Sequence, residues 1–425
     1  MAMIKESTPT QASVAEAPAP AKLPRARLFQ ISFGVGGVML ARVLGIFTQI
    51  ILARRLGAEQ YGLFNSLYAL LNPLIILANL GLDNWLLRQS TDRTKLNKSV
   101  SRVFALRGFV LAGLLLAAAP FVSMRSPEFT PHLIALACAG IIGDLLVGTA
   151  DTALRASIQV LKASSLQIVV ALSLFVPIWF TPNLPFSTVV IYRCIAVALG
   201  FGLSVYYLHG ILRWVWQPRQ WINTISEARF YFISEVMAYL TLRVDLFLVA
   251  LLLPTINSGI YAPPLAIINN TFLVPSITAQ ILLPMIVKHP PRSPLYRRVI
   301  SLAIGLSILY GLAWLALLTW HSDWIINLMY GPQYADAIPL LQIMAIIPLL
   351  KSLNFCWATF MVSNDQQPLR VKLQTIGATI SILGNFVVIP LYGLHGVAII
   401  NMITEIALFI SYGYGAWLTY KKVMR

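Results

Sequence analysis

Apolar runs close to the length that crosses hydrocarbon as a helix recur from Ile31 to Leu418. They fall at about 30–53, 63–87, 105–124, 132–154, 164–181, 187–208, 230–253, 260–287, 299–320, 337–361, 373–390 and 396–419. Only short polar segments separate them. The pattern predicts an all-α polytopic protein of about twelve membrane-spanning helices. A transmembrane barrel would show shorter alternating segments instead. Pro73 in span 2, and Pro263, Pro264, Pro275 and Pro284 in span 8, predict kinks, because proline removes a donor and clashes with the preceding turn.

Composition agrees. The 425 residues are 58% hydrophobic and only 11% charged, with a mean hydropathy of +0.76. A soluble domain carries about 25% charged residues. The net charge of +16 suggests a nucleic-acid partner until the charges are placed. With the N-terminus in the cytoplasm, 24 of the 31 basic residues are counted to cytoplasmic segments, six of them from Arg88 to Arg107, where Arg107, at the start of span 3, is counted with the loop between spans 2 and 3. Three, Arg54, Arg55 and Arg125, fall on the other side, and Arg42, Arg193, Arg243 and Lys351 lie within spans. That asymmetry is the positive-inside signal. It predicts both termini in the cytoplasm and accounts for the charge without nucleic acid.

The chain divides into four parts. Residues 1–24, rich in Ala, Pro, Ser and Thr with no apolar centre, read as a disordered cytoplasmic tail rather than a signal peptide. Residues 25–208 form an N-lobe of spans 1–6, and residues 230–425 a C-lobe of spans 7–12. Between them, 209–229 carries Trp214, Trp216 and Trp221 among Arg213, Arg219 and Arg229. That composition predicts an amphipathic linker at the headgroups. No segment outside the membrane is long enough for a sizeable catalytic domain. Cys138, Cys194 and Cys356 are widely spaced inside spans and read as small buried apolar groups. The five histidines show no ligand spacing, so no metal site is expected.

Ionisable groups inside spans cost a few kcal/mol each on insertion scales, so each needs a partner or a function. Arg42 shares a face of span 1 with Gly45 and Gln49. Span 7 carries Glu235, Tyr239 and Arg243 as one polar stripe, with Asp245 on the opposite side. Asn65, Asn72 and Asn79 recur every seventh residue in span 2, with Asp83 beyond. Asp144, Gly148 and Asp151 line span 4; Lys351 sits in span 10, Arg193 in span 6, and Asn401 with Glu405 in span 12. One reading is a wet cavity in which Arg42, Arg243 and Lys351 attract a diphosphate while Gln49, Asn72 and Asn79 bond sugar hydroxyls. The other is internal pairing of charges and polar glue between helices. Asp144, Asp245, Glu235 and Glu405 are candidates for proton or sodium coupling, because protonation removes the desolvation cost of a buried carboxylate.

The halves echo each other. Leu56-Gly57-Ala58-Glu59-Gln60-Tyr61-Gly62 opens span 2, and Leu253-Pro254 through Gly259-Ile260-Tyr261-Ala262 opens span 8. Repeats in transporters commonly form two lobes with the substrate between them. Arg42-Val43-Leu44-Gly45, Ala53-Arg54-Arg55-Leu56-Gly57 and Tyr61-Gly62 resemble the opening of Wzx-type oligosaccharide flippases. Asp245 to Tyr261, Tyr330-Gly331-Pro332-Gln333-Tyr334, and Asn385 through Ile389-Pro390-Leu391-Tyr392-Gly393-Leu394-His395-Gly396 resemble later segments of that family. The resemblance spans about residues 28 to 420 and extends to the multidrug, oligosaccharidyl-lipid and polysaccharide exporter superfamily.

It implies a V-shaped pair of six-helix lobes, alternating access, and a polyprenyl-diphosphate-linked oligosaccharide as cargo for O-antigen, capsule or exopolysaccharide synthesis. It also implies the cytoplasmic membrane of a bacterium, with membrane lipids, a polysaccharide polymerase and chain-length proteins as partners. Arg42 matches a cavity-lining arginine of the related lipid II flippases; Thr48 and Gln49 stand where those relatives often carry a second Arg and an Asp.

The expected protein is not an enzyme and needs no cofactor. No G-x-x-x-x-G-K-[ST] phosphate loop is present. A diphosphate leaving a negative interior gains about 5 kcal/mol per 100 mV for two charges, so the expectation is that the membrane potential can drive export without ATP. A multidrug cation antiporter of the same superfamily is the alternative function. A membrane glycan polymerase or glycosyltransferase is the enzyme alternative.

Overall fold

The computed structural model describes residues 25–88, 93–182, 184–209, 218–287 and 293–424. The expected disordered tail, residues 1–24, lies outside them, as do Arg213, Trp214 and Trp216. Among the described residues there is no strand. The N-terminal half comprises α1 (Arg25–Asn79), α2 (Leu82–Arg88), α3 (Arg93–Ser123), α4 (Pro131–Ala156), α5 (Val160–Phe180) and α6 (Phe186–Tyr207). The rest comprises α7 (Pro218–Leu242), α8 (Val244–Leu252), α9 (Thr255–Thr271), α10 (Leu273–Val287), α11 (Pro294–Trp320), α12 (Ser322–Met329), α13 (Ala337–Ile343), α14 (Ile347–Ser363) and α15 (Gln367–Met424).

Two helices are long enough to cross twice. At 1.5 Å per residue α1 would extend roughly 80 Å, more than twice the hydrocarbon thickness. It therefore reverses, and the break falls at Gly57, whose φ of 68° only glycine adopts without strain. α15 breaks in the same way at Gly393, with φ 57°. Spans 1 and 2, and spans 11 and 12, are thus joined by single-residue hinges within the resemblance motifs. Nine stretches of the described residues are long and apolar enough to cross a membrane, these two among them. Adding α7 with α8, whose Glu235, Arg243 and Asp245 lower its hydropathy, gives the twelve crossings expected. Within the expected linker, α7 already begins at Pro218, and Trp221 is buried with its ring 5.8 Å from that of Phe109.

Within the N-lobe α1 packs on α5, and α4 on α3 and α6; within the C-lobe α14 packs on α10, α11 and α15. The basic residues gather at one end of the bundle, the basic face; the hinge at Gly57 lies at the far face. There the lobes lock together. α1 crosses α9 so closely at Gly62 and Gly259 that a Cβ on Gly259 would run into the Ala58 carbonyl oxygen. Small residues at a crossing let two backbones approach and maximise dispersion contacts where lipid offers no hydrophobic drive.

The three far-face arginines explain themselves here. Arg55 donates to the carbonyls of Ile178, Trp179 and Thr181 at the C-terminal end of α5, at 2.9, 2.7 and 2.6 Å. Arg54 donates to Asn327, at 3.3 Å, and Leu328 at the end of α12. Arg125 donates to Ala250, at 2.9 Å, and Leu253 at the end of α8. Each cation occupies the carbonyl-rich end of a helix, where orphan acceptors and the dipole favour it. Arg54 and Arg125 reach from the N-lobe into the C-lobe. The Tyr334 hydroxyl, held protonated by burial beside Tyr61 and Tyr330, donates to the Ala53 carbonyl at 2.8 Å across the same seam.

Replacing Gly259 by valine leaves no room for this crossing, so the far face should stay open. In a background without native cysteines, Ser66→Cys, one turn from Gly62 and buried, should become accessible to an impermeant maleimide only when Gly259→Val is also present. Equal protection in both backgrounds would refute the crossing as the far gate.

Candidate functional site

The mid-membrane charges sort themselves by pairing. Lys351 Nζ lies 2.7 Å from Glu405 Oε1 and 4.1 Å from the Phe272 ring centroid, while Asn354 donates to the other Glu405 oxygen at 3.1 Å. Arg193 meets Asp144 at 2.6 Å and lies over the Tyr68 ring at 4.3 Å. Arg155 meets Asp151 at 2.8 Å, one turn away. Arg107, wholly buried, meets Asp83 at 2.9 Å. Asp245, 2% exposed, accepts from the Tyr261 hydroxyl at 2.5 Å and from Asn401 at 2.8 Å. Glu235 accepts from Asn79 at 2.6 Å and Asn84 at 3.1 Å.

Most candidates are thus paired internally among the described residues. Lys351 does not stand free to meet a phosphate: Glu405 neutralises it inside the C-lobe. Arg243 does not neutralise Glu235. Asn79 does not stand free for a sugar hydroxyl, because Arg107 donates to both its backbone and its side-chain oxygens while its amide holds Glu235. Asn72 is half-buried and makes no recorded bond among the described residues.

Two cations remain. Arg42 and Arg243 are exposed, and neither guanidinium has a hydrogen bond or an ion pair among the described residues. Where they point follows from helix geometry. Gly37 packs α1 against Ser164 and Ile168 of α5, and Leu40, Val43 and Phe47 form an exposed apolar stripe suited to lipid. At 100° per residue Arg42 lies about 140° from Gly37 and about 140° from Phe47. It therefore occupies the third side of the helix, and Gln49, exposed as well, lies within about 20° of it.

On the facing lobe, Glu235 touches Asn79 and Asn84, so the stripe Glu235-Tyr239-Arg243 faces the N-lobe. Arg243 ends that stripe at the break between α7 and α8, with φ −143° and ψ −3°. Arg42 is thus on the side of α1 turned away from α5 and from the apolar stripe, and the polar stripe that ends at Arg243 is on the side of α7 that meets the N-lobe. Asp245, two residues on, turns the other way into a C-lobe hollow of about 20 Å³ that it shares with Asn269, Lys351, Asn401 and Glu405. No grouping of metal-ligating side chains is found among the described residues.

A family model described as polysaccharide biosynthesis protein matches residues 30–289, well over half of the chain. The chain belongs to that family. Solved structures resemble the chain in the backbone at low sequence identity. The lipid II flippase MurJ in an inward closed conformation superposes with a TM-score of 0.75 at 13% identity, over 92% of this chain and 89% of that one. A multidrug resistance MATE family transporter of the MOP superfamily, in its inward-facing conformation, gives 0.71 at 12% identity over 93% and 99%. The multi-pass, two-lobed exporter fold expected from the sequence is the one observed. An uncharacterised membrane protein of Methanocaldococcus jannaschii is 25% identical over 130 residues, and that match spans 30% of this chain and 25% of its relative.

The residue that sequence reading misplaces is Arg107. It counts there with the basic loop between spans 2 and 3, whereas α3 starts at Arg93 and carries Arg107 inward to a fully buried position. Its links run from Asp83 and Asn79 to Thr149 of α4 at 2.7 Å. Through Asn79 they reach Glu235 and hence α7. The same seam holds Trp85, which donates to Glu227 at 2.9 Å, and Arg102, which donates to Thr224 at 3.3 Å. These bonds tie α7, the first helix of the C-lobe, to the N-lobe near the basic face.

Proposed function

We propose that this protein flips a polyprenyl-diphosphate-linked oligosaccharide from the cytoplasmic to the outer leaflet of a bacterial cytoplasmic membrane by alternating access, with both termini cytoplasmic. One observation carries the reading: after all other described mid-span charges have found partners, Arg42 and Arg243 are left over, one from each lobe. In this reading both uncompensated guanidinium groups face the space between the lobes and favour an anion, and each can bind phosphate oxygens through a bidentate fork. The family supports a glycan attached to that anion, and the exporter fold supports movement between two faces. The polymerase and chain-length proteins that consume the product are the expected partners at the outer leaflet.

The far face is closed by Gly62–Gly259, Arg54, Arg125 and Tyr334, and α7 is tied to the N-lobe near the basic face as well; in this reading cargo enters from the basic face when that second seam parts. Asp245 is the strongest of the coupling candidates. Asp144 and Glu405 are each neutralised by a cation and Glu235 is held at the seam, whereas Asp245 is buried, bonded only to neutral donors, and beside a hollow with room for a water. For two phosphate charges the membrane potential alone supplies about 5 kcal/mol per 100 mV.

The test is reconstitution in proteoliposomes loaded with the lipid-linked oligosaccharide or with a lipophilic cationic dye. Oligosaccharide should reach the far leaflet, and its movement should stop when the potential is collapsed with the pH gradient intact. Dye movement without oligosaccharide movement would favour a cation antiporter. Unchanged flipping without a potential would remove the potential as the drive.

A further inference from the structure

A groove in the C-lobe has no part in transport as described above. It has a volume of about 440 Å³, within the range of small-molecule sites. Its walls come from α10, α11, α14 and α15, with Ile304, Cys356 and Gly413 among the lining residues. Tyr296, Trp357, Phe360, Trp417 and Tyr420 supply rings along it. Tyr296 and Phe360 are fixed in a small buried cluster with Ile286 and Ala416, so the walls are preformed.

Position and charge select the occupant. The groove starts at the first turn of α11 and the last turns of α15, at the basic face, and continues into the membrane. Arg297 lies in its lining and is exposed, with no recorded partner among the described residues. Lys421 Nζ lies 3.6 Å from the centroid of the Trp417 ring. Residues 273–287, 294–320, 347–363 and 406–424, which form the walls, contain no Asp or Glu. Every charged side chain in those walls is therefore cationic, and the interior is apolar and aromatic. Tyrosine and tryptophan at its rim suit the headgroup level. Such a site is complementary to a molecule with one anionic head and a hydrocarbon tail, and juxtamembrane cations gain affinity for anionic lipids.

We propose that the groove is a binding site for one anionic phospholipid of the cytoplasmic leaflet, its acyl chain between Trp357 and Trp417 and its phosphate between Arg297 and Lys421. It stands independently of the transport reading. The lipid fills the cleft among α10, α11, α14 and α15 and clamps the basic end of the C-lobe, which makes lipid composition a regulator of how that lobe moves.

Gly413 makes the test clean. A Cβ there meets nothing within 4 Å, so Gly413→Leu fills the groove without displacing its walls. Detergent-purified protein is equilibrated with dioleoyl phosphatidylglycerol, dioleoyl phosphatidylethanolamine or undecaprenyl phosphate, and bound lipid is counted by native mass spectrometry. Wild type should retain one phosphatidylglycerol in preference to phosphatidylethanolamine. Arg297→Gln and Lys421→Gln should each weaken phosphatidylglycerol binding about fivefold, and Gly413→Leu should abolish retention while thermal unfolding in detergent stays that of the wild type. Equal retention of both phospholipids, or phosphatidylglycerol bound undiminished by Gly413→Leu, overturns the site. Loss of the wild-type melting transition in Gly413→Leu would also count against it, because the cavity would then not be open. Displacement of phosphatidylglycerol by equimolar undecaprenyl phosphate would overturn the phospholipid assignment and give the groove to the polyprenyl cargo.

Discussion

Arg42→Ala should lower oligosaccharide flipping in proteoliposomes by ten- to a hundredfold while the protein inserts and purifies normally. Hydrogen bonds to charged groups contribute about 1.5–3 kcal/mol, and a factor of ten corresponds to about 1.4 kcal/mol. Arg42 stabilises nothing inside the lobe: its side chain is exposed, it has no acid to release, and its face of α1 lies away from both α5 and the apolar stripe. Its loss therefore removes attraction for the cargo without leaving an unpaired charge behind. Arg42→Lys keeps the charge and loses the fork, so it should fall between the two. Arg243→Ala should show a loss of similar size, because it offers the same group from the opposite lobe. Gln49→Ala should cost far less, since a neutral amide contributes about 1 kcal/mol. Wild-type flipping by Arg42→Ala would remove the cationic crevice as the cargo site.

The spans were legible because a membrane imposes one requirement on every crossing helix, a run of about twenty apolar residues. That requirement sees neither hinges nor partners. Gly57 and Gly393 appeared only as parts of motifs; nothing local distinguishes a glycine that reverses a helix from Gly45, which lies within one. The pairs were hidden for a different reason. Lys351 finds Glu405, Asp144 finds Arg193, and Asn79 finds Glu235 across stretches of roughly 50 to 150 residues, and helical periodicity places a group on a face without saying which helix faces it. Arg42 was readable because span 1 contains no acid at all, a fact of sequence rather than of packing. Arg107 escaped because charge counting measures side and not depth. The five basic residues before it, Arg88 to Arg102, drew it into their loop. Its distance from Arg93, almost four turns of an uninterrupted helix, was the available sign that it lay below the headgroups.

That depth makes Arg107 the position where a single change should damage the fold most. Its guanidinium is fully buried, meets Asp83 at 2.9 Å, Thr149 at 2.7 Å and the Asn79 carbonyl at 3.2 Å, and so joins α1, α2, α3 and α4. Removing one member of a buried pair costs about 3–5 kcal/mol, since the other is left charged and unpaired. Asp83 is 36% exposed at its side chain, so water recovers part of its solvation and the lower end of that range applies. Arg107→Met should accordingly lower the melting temperature in detergent well below that of Arg42→Ala, whose own melting should match wild type. Adding Asp83→Asn should restore much of the loss, because the uncompensated carboxylate goes with it. The damage should also spread along the seam: with Arg107 gone, Asn79 no longer holds its amide toward Glu235, and α7 loses a tie to the N-lobe. A melting temperature unchanged by Arg107→Met would mean that this network does not hold the N-lobe together. A double variant as unstable as the single one would mean that the loss comes from packing around the arginine stem rather than from its charge.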